Sequence, residues 1–146
     1  MRRARGNCLA GFAIALAGLA GATAQAQESF AGVWRIVGAV TASDAAPAFS
    51  RLVGETIDFE SGKVTGPSPL ACENARYETV TMGVPGLFQG ALPETQAVRL
   101  AGGLGMPAEI ETLRIDCDTG SFDYHAAGSR LVIMLDGVIY LLDRAP

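Results

Sequence analysis

Apolar and polar residues alternate in short runs along most of the chain beyond residue 28. Across residues 30–37, Trp34 and Ile36 share one side while Arg35 takes the other, the period of two expected of a half-buried strand. Residues 53–60 repeat the pattern, with Ile57 and Phe59 set against Asp58 and Glu60, and Ser61-Gly62 then turns the chain into residues 63–65 as a hairpin. Residues 76–82, 110–117 and 121–125 are rich in β-formers, and Asp118-Thr119-Gly120 joins the last two as a tight turn. Residues 41–50, rich in Ala, Ser and Pro, read as a loop.

One stretch follows the helical period instead. Ala97, Leu100, Ala101 and Leu104 fall on one face, Pro93-Glu94-Thr95 supplies a start, and Gly102-Gly103 supplies a stop. A helix this short is held by packing rather than by propensity.

The most informative pattern lies in residues 130–143. Asp136-Gly137 is a two-residue hairpin signal, and such a loop pairs Leu135 with Val138, Ile133 with Tyr140, Leu131 with Leu142 and Arg130 with Asp143. The other face carries Val132, Met134, Ile139 and Leu141, so both faces are apolar. A hairpin of this kind has no wet side. The second face must meet the helix or, failing that, a second subunit, which makes a homodimer through Val132, Met134, Ile139 and Leu141 the alternative. About eight short strands, mostly hairpin-linked, with one short helix predict a mainly β fold: a small antiparallel β-barrel or strongly bent sheet.

The first residues belong to another grammar. Arg2, Arg3 and Arg5 precede an apolar, Ala-, Leu- and Gly-rich run, and Ala22-Thr23-Ala24-Gln25-Ala26 offers small-x-small cleavage sites. Residues 1–26 therefore read as a cleaved signal peptide, and residues 27–146 as a single barrel-like domain in the periplasm or outside the cell. The apolar run is too short and glycine-interrupted to anchor the chain in a membrane, and Cys8 precedes it rather than following it, so no lipid anchor is expected.

Cleavage changes the charge balance. It removes three of 11 basic side chains and none of 15 acidic ones, leaving a net charge of −7 on the exported chain. Phosphate backbones and anionic lipid would repel such a surface, which argues against nucleic acid and favours a cationic partner.

Cleavage also leaves two cysteines, Cys72 and Cys117. Cys72 lies beside Glu73, Asn74, Arg76 and Tyr77, which invites a nucleophile, metal-ligand or redox reading. An oxidising compartment favours a bridge, while zinc wants more Cys and His than the chain provides. A Cys72–Cys117 disulfide is the expectation, with a free or redox thiol and a metal ligand as alternatives.

Two resemblances join these readings. Gly32-Val33-Trp34, the meandering strands and Arg144 just after the last of them resemble the lipocalin-like (calycin) barrels. That likeness implies a tryptophan closing one barrel end with the late arginine packed on it. Gly32-x-Trp34, Val64-x-Gly66, Cys72-x-Asn74-x-x-Tyr77 and the closing Leu-rich strand pair are similar to periplasmic META-domain proteins. Neither resemblance transfers a binding residue.

Candidate chemistry is sparse. Asp123 and His125 project to one face of a strand and could form an acid/base pair, although a strand end beside Ala127-Gly128 reads more simply as exposed. Glu109 and Glu111 share a face without naming a reaction. No phosphate loop, nucleophile elbow or metal motif is present, so no catalytic residue, metal or cofactor is expected. Trp34, Tyr77, Phe88, Tyr124 and Tyr140 could line an apolar cavity with polar tips. Residues 83–90 place Leu87 and Phe88 between glycines and a proline, either as a lid or partner contact or tucked into the core. The sequence thus predicts a non-enzymatic binding protein for a small apolar ligand. The alternative is an acidic protein-binding module, such as an inhibitor of a cationic cell-wall hydrolase like lysozyme; an enzyme using Asp123 and His125 ranks last.

Overall fold

Two-residue turns set the register of most of the molecule. The computed structural model describes residues 29–146, so the expected signal peptide, residues 1–26, lies outside the described residues. Among the described residues the strands are β1 (Gly32–Thr41), β2 (Thr56–Glu60), β3 (Lys63–Thr65), β4 (Arg76–Gly83), β5 (Glu109–Cys117), β6 (Gly120–Ala127), β7 (Arg130–Leu135) and β8 (Val138–Arg144). They form one antiparallel sheet in the order β3-β2-β1-β8-β7-β6-β5-β4, curled into a half-barrel. A 3-10 turn (Val84–Gly90) and the helix α1 (Glu94–Gly103) lie between β4 and β5.

The C-terminal hairpin has the expected register, with Leu131 opposite Leu142, Ile133 opposite Tyr140 and Leu135 opposite Val138. Asp136 (φ 50°) and Gly137 (φ 76°) both sit in the left-handed region, as a type I′ turn requires, and Asp-Gly is the pair that tolerates it. The hairpin ends on an Arg130–Asp143 ion pair at 2.7 Å. β8 then returns to pair with β1, which joins the two ends of the described chain through the middle of the sheet.

Two strand limits differ from the alternation. β1 runs on to Thr41, and a register shift between Ile36 and Gly38 changes which residues face inward. Ala39 consequently joins the inner cluster, and Val40 packs on the outer one. β2 begins only at Thr56, because the chain before it turns to trade backbone bonds with Ile36: Gly54 N–H donates to Ile36 O and Ile36 N–H to Glu55 O.

The sheet has a core on each face. Inside the curl, Trp34, Ile36, Ile57, Phe59, Val64, Leu70, Leu113, Ile115, Tyr124, Leu131, Ile133, Tyr140 and Leu142 pack into one cluster. On the outer face, Val132 and Ile139 pack with Ile110, Leu87, Phe88, Leu100 and Ala101, with Met134 and Leu141 at the margin. The second face of the hairpin is therefore covered by α1 and the 3-10 turn, and Val132 and Ile139 have no exposed area left for the homodimer contact considered from the sequence. Burying such side chains is worth roughly 1.5–3 kcal/mol each, which explains why a weak helix forms at this place. Leu87 and Phe88 are tucked in rather than displayed.

Cys72 and Cys117 form a disulfide with Cα atoms 5.6 Å apart. Closing a 45-residue separation stabilises the fold by about 4 kcal/mol in the chain-entropy model. The bridge ties the segment beyond β3 to the end of β5.

Candidate functional site

The five aromatic residues expected to line a cavity do not line one together. Trp34, Tyr124 and Tyr140 belong to the inner cluster and Tyr77 packs at its edge, whereas Phe88 lies on the opposite face of the sheet. Most of their polar tips are engaged. Trp34 Nε1–H donates to Phe30 O at 2.8 Å, Tyr77 O–H donates to Lys63 O at 2.6 Å, and the Tyr140 and Ser50 hydroxyls are 2.9 Å apart. Burial, reinforced by the charges of Glu60 and Asp58, pushes the Tyr77 phenol up to about 12. Tyr124, 1 % exposed, meets Phe59 edge-to-face across the curl at 4.8 Å between ring centroids. Its hydroxyl has no hydrogen-bond partner, and burial raises its pKa. The inside of the curl is thus occupied by the protein's own side chains.

Trp34, near the start of β1, is buried in the inner cluster. The Arg144 guanidinium stacks 4.5 Å from the Trp34 ring centroid and donates to Ala31 O at 2.7 Å and to Ser29 O. Residues 47–52 lay Ala48 and Leu52 on the inner cluster and leave Phe49 96 % exposed.

Asp123 and His125 do share a face, but His125 is not an exposed strand end. It is fully buried beneath the 3-10 turn. Its Nε2 accepts the Phe88 N–H at 3.0 Å, and its Nδ1 is 2.8 Å from Thr112 Oγ1. A ring nitrogen that accepts from an amide carries no proton, so the neutral tautomer bears its hydrogen on Nδ1 and donates it to Thr112. The Phe88 ring adds an edge-to-face contact at 4.9 Å. Burial lowers the His125 pKa to about 4, with Asp123 opposing the shift and Arg114 adding to it. Asp123 is itself held by a two-pronged Arg114 contact, 2.8 Å on each prong, and that hydrogen bond raises the Arg114 pKa. With both imidazole nitrogens engaged and no access to solvent, the arrangement fastens the cover of the outer core to β6. The sequence signal for this role was the spacing of Thr112 and His125 on adjacent strands, legible only once the β5–β6 register is known.

Outside the two cores, a cleft of about 220 Å³ lies between the turn after β1 and α1, floored by Val40, Ala42, Leu100 and Leu104 and rimmed by Asp44 and Arg99. The Asp44 carboxylate accepts from Thr41 Oγ1 and from Ala46 N–H, which hold its pKa below the ordinary carboxylate value. Glu109 and Glu111 lie toward the start of β5, Glu109 exposed and Glu111 half-buried. Among the described residues no group of His, Cys, Asp and Glu could hold a metal, and no helix is long and apolar enough to cross a membrane.

No family model, curated protein or solved structure matches this chain.

Proposed function

We propose that this is a non-enzymatic binding protein of the periplasm or extracellular space that engages a cationic protein partner through its outer surface. The observation that carries the reading is the occupied interior, with Phe59 and Tyr124 in contact across the curl, because it moves binding to the outside of the sheet. That outside is acidic, and the expected exported chain has a net charge of −7. Complementary charge supplies steering and partner discrimination. The disulfide accords with an oxidising compartment, and the Arg144–Trp34 stack supports the lipocalin-like resemblance. An inhibitor of a cationic cell-wall hydrolase is the concrete form of this reading.

The test is binding of the exported chain, residues 27–146, to lysozyme in low salt and again in 0.5 M salt, at which the Debye length shrinks to roughly 4 Å. Salt-sensitive association supports the proposal; absence of association with lysozyme and with a panel of other basic proteins sinks it.

The outer cleft favours a second reading. Its apolar floor and the mixed Asp44 and Arg99 rim suit a small amphipathic molecule rather than a large apolar ligand in the barrel. Native mass spectrometry of material purified without denaturant separates the two, since a retained small molecule supports the cleft.

A further inference from the structure

The two edges of the sheet are treated differently. β3 is three residues long, and its outer side is covered, because Val64 N–H donates to Cys72 O at 2.7 Å and Cys72 N–H to Val64 O at 2.9 Å. β4 is eight residues long and pairs only with β5, in an uninterrupted register from Arg76 to Gly83. Sheets normally blunt such an edge with a proline, a lysine, a bulge or a covering loop. Arg-Tyr-Glu-Thr-Val-Thr-Met-Gly has no proline or lysine, its pairing has no bulge, and no described strand lies beyond it.

The geometry of the pleat says which groups are on offer. Ala75, just before β4, turns its N–H outward to Gly62 O at 2.9 Å, and at Tyr77 the side chain reaches Lys63 O. The two-residue period then directs the backbone N–H and C=O of Thr79 and Thr81 to the open side, where no described group pairs with them. Acids surround this edge. Glu78 lies on β4, Glu111 stands opposite Thr81 and Glu109 opposite Gly83, and Asp58 and Glu60 lie close enough to act on the Tyr77 phenol. None of these five carboxylates joins an ion pair among the described residues, and Arg76 is the one base on the strand.

We propose that β4 is a docking edge for an extended, basic segment of a partner protein, which adds as a further strand beside Thr79 and Thr81. The backbone bonds hold the segment, and alternate lysine or arginine side chains, all on one face, meet Glu109 and Glu111, which share the face of Thr79 and Thr81; Glu78 lies on the other face, opposite Arg114. A second copy of this chain is the less suitable occupant, because antiparallel self-pairing would bring two sets of these acids together. This inference deepens the cationic-partner reading and rests on it.

The probe is a ten-residue synthetic peptide of alternating lysine and valine, with alternating glutamate and valine as the charge control. The exported chain should bind the lysine peptide, and hydrogen exchange at the Thr79 and Thr81 amides should slow by at least tenfold in the complex. Thr81→Pro deletes an edge N–H without touching the β5 ladder, so it should lower affinity at least tenfold while leaving the melting temperature nearly unchanged. Should Thr81→Pro unfold the chain, a lysine peptide N-methylated at alternate residues makes the same test on the unaltered protein, and it should lose affinity to the same degree. Equal affinity for the methylated and plain peptides, unchanged exchange at both threonines, equal binding of the glutamate peptide, or a β4-dependent dimer in sedimentation would each overturn the proposal. If Thr81→Pro keeps salt-sensitive binding to lysozyme, the edge is wrong and the partner reading stands. If neither lysozyme nor the lysine peptide binds the unaltered chain, both fall.

Discussion

The two faces of the β7–β8 hairpin are almost equally apolar, yet they build cores of different kinds. On the inner face, Leu131, Ile133, Tyr140 and Leu142 meet side chains from strands that span nearly the whole described chain, and a disulfide draws the segment beyond β3 against β5. On the outer face, Val132 and Ile139 pack with Ile110 and Ala127 of the sheet and with Ala42, and their cover comes mainly from one excursion of the chain between β4 and β5. That excursion is a helix ending on two glycines, with no side-chain cap at its start, preceded by a turn that holds Phe88 (φ 53°) and Gln89 (φ 58°) in the left-handed region. Non-glycine residues there carry strain, which the surrounding contacts must over-determine. The buried imidazole of His125 supplies the polar tie. Equal apolarity therefore does not mean equal permanence. A core whose cover arrives as one local segment can open by itself, whereas a core enclosed by the sheet opens only with the sheet.

The strongest way to break this comparison is to remove the inner staple. Replacing Cys72 and Cys117 together by serine should cost about 4 kcal/mol in urea unfolding, and the loss should appear across all strands at once. A loss confined to residues 84–104 would reverse the assignment of global stability to the inner core.

Acid should act on the outer core alone. The unfolded chain takes up the His125 proton near its ordinary value of 6.5, whereas the folded chain resists protonation until about 4. Stability is then undiminished above pH 6.5 and falls as the pH drops from 6.5 toward 4. The loss amounts to about 3 kcal/mol, because each tenfold difference in proton affinity between the folded and unfolded chains is worth about 1.4 kcal/mol. His125→Gln should remove that difference in slope, read as urea stability from pH 7 to pH 4. In the unaltered chain the Phe88 amide should lose exchange protection before the amides of β7 do. Simultaneous loss would join the two cores into one cooperative unit.

A smaller effect should come from the inner side. The Tyr124 hydroxyl is buried without a partner, so Tyr124→Phe should raise stability by about 1–2 kcal/mol. A loss of stability would show that the hydroxyl has a hydrogen-bond partner in solution. The smallest effect belongs to α1: a Cβ at Gly102 meets nothing within 4 Å, and the helix gains by about 0.5–1 kcal/mol from Gly102→Ala. That gain should slow exchange within α1 and leave the inner strands unchanged.

Much of the sheet was legible in the residues because hairpins are local. Asp136-Gly137 and Ser61-Gly62 each set a two-residue loop, and alternation then assigned the faces, down to the Arg130–Asp143 pair. The candidate site was legible only in part. Asp123 and His125 were correctly placed on one face, but their burial was not visible, because it depends on Phe88 folding back over residues 37 positions away. The separation of the aromatic group was not legible for a related reason: Phe88 and Tyr124 differ in which core they enter, and a loop has no period that reveals its side.

What the sequence determined by itself is whatever neighbours in the chain can decide: the turn residues, the alternation, the two-faced apolar hairpin, the pair Cys72 and Cys117, and the acidic balance. Tertiary structure alone decided that β1 slips at Ile36 to present Val40 outward, that the inner face of the curl packs its own side chains into one cluster, that the short helix covers Val132 and Ile139, and that β4 keeps an open edge among the described residues while β3 does not. Each of these depends on which distant surfaces meet. Side-chain volume and unpaired backbone groups acquire consequences only after the chain has curled, whereas a turn or a period acts within a few residues of itself.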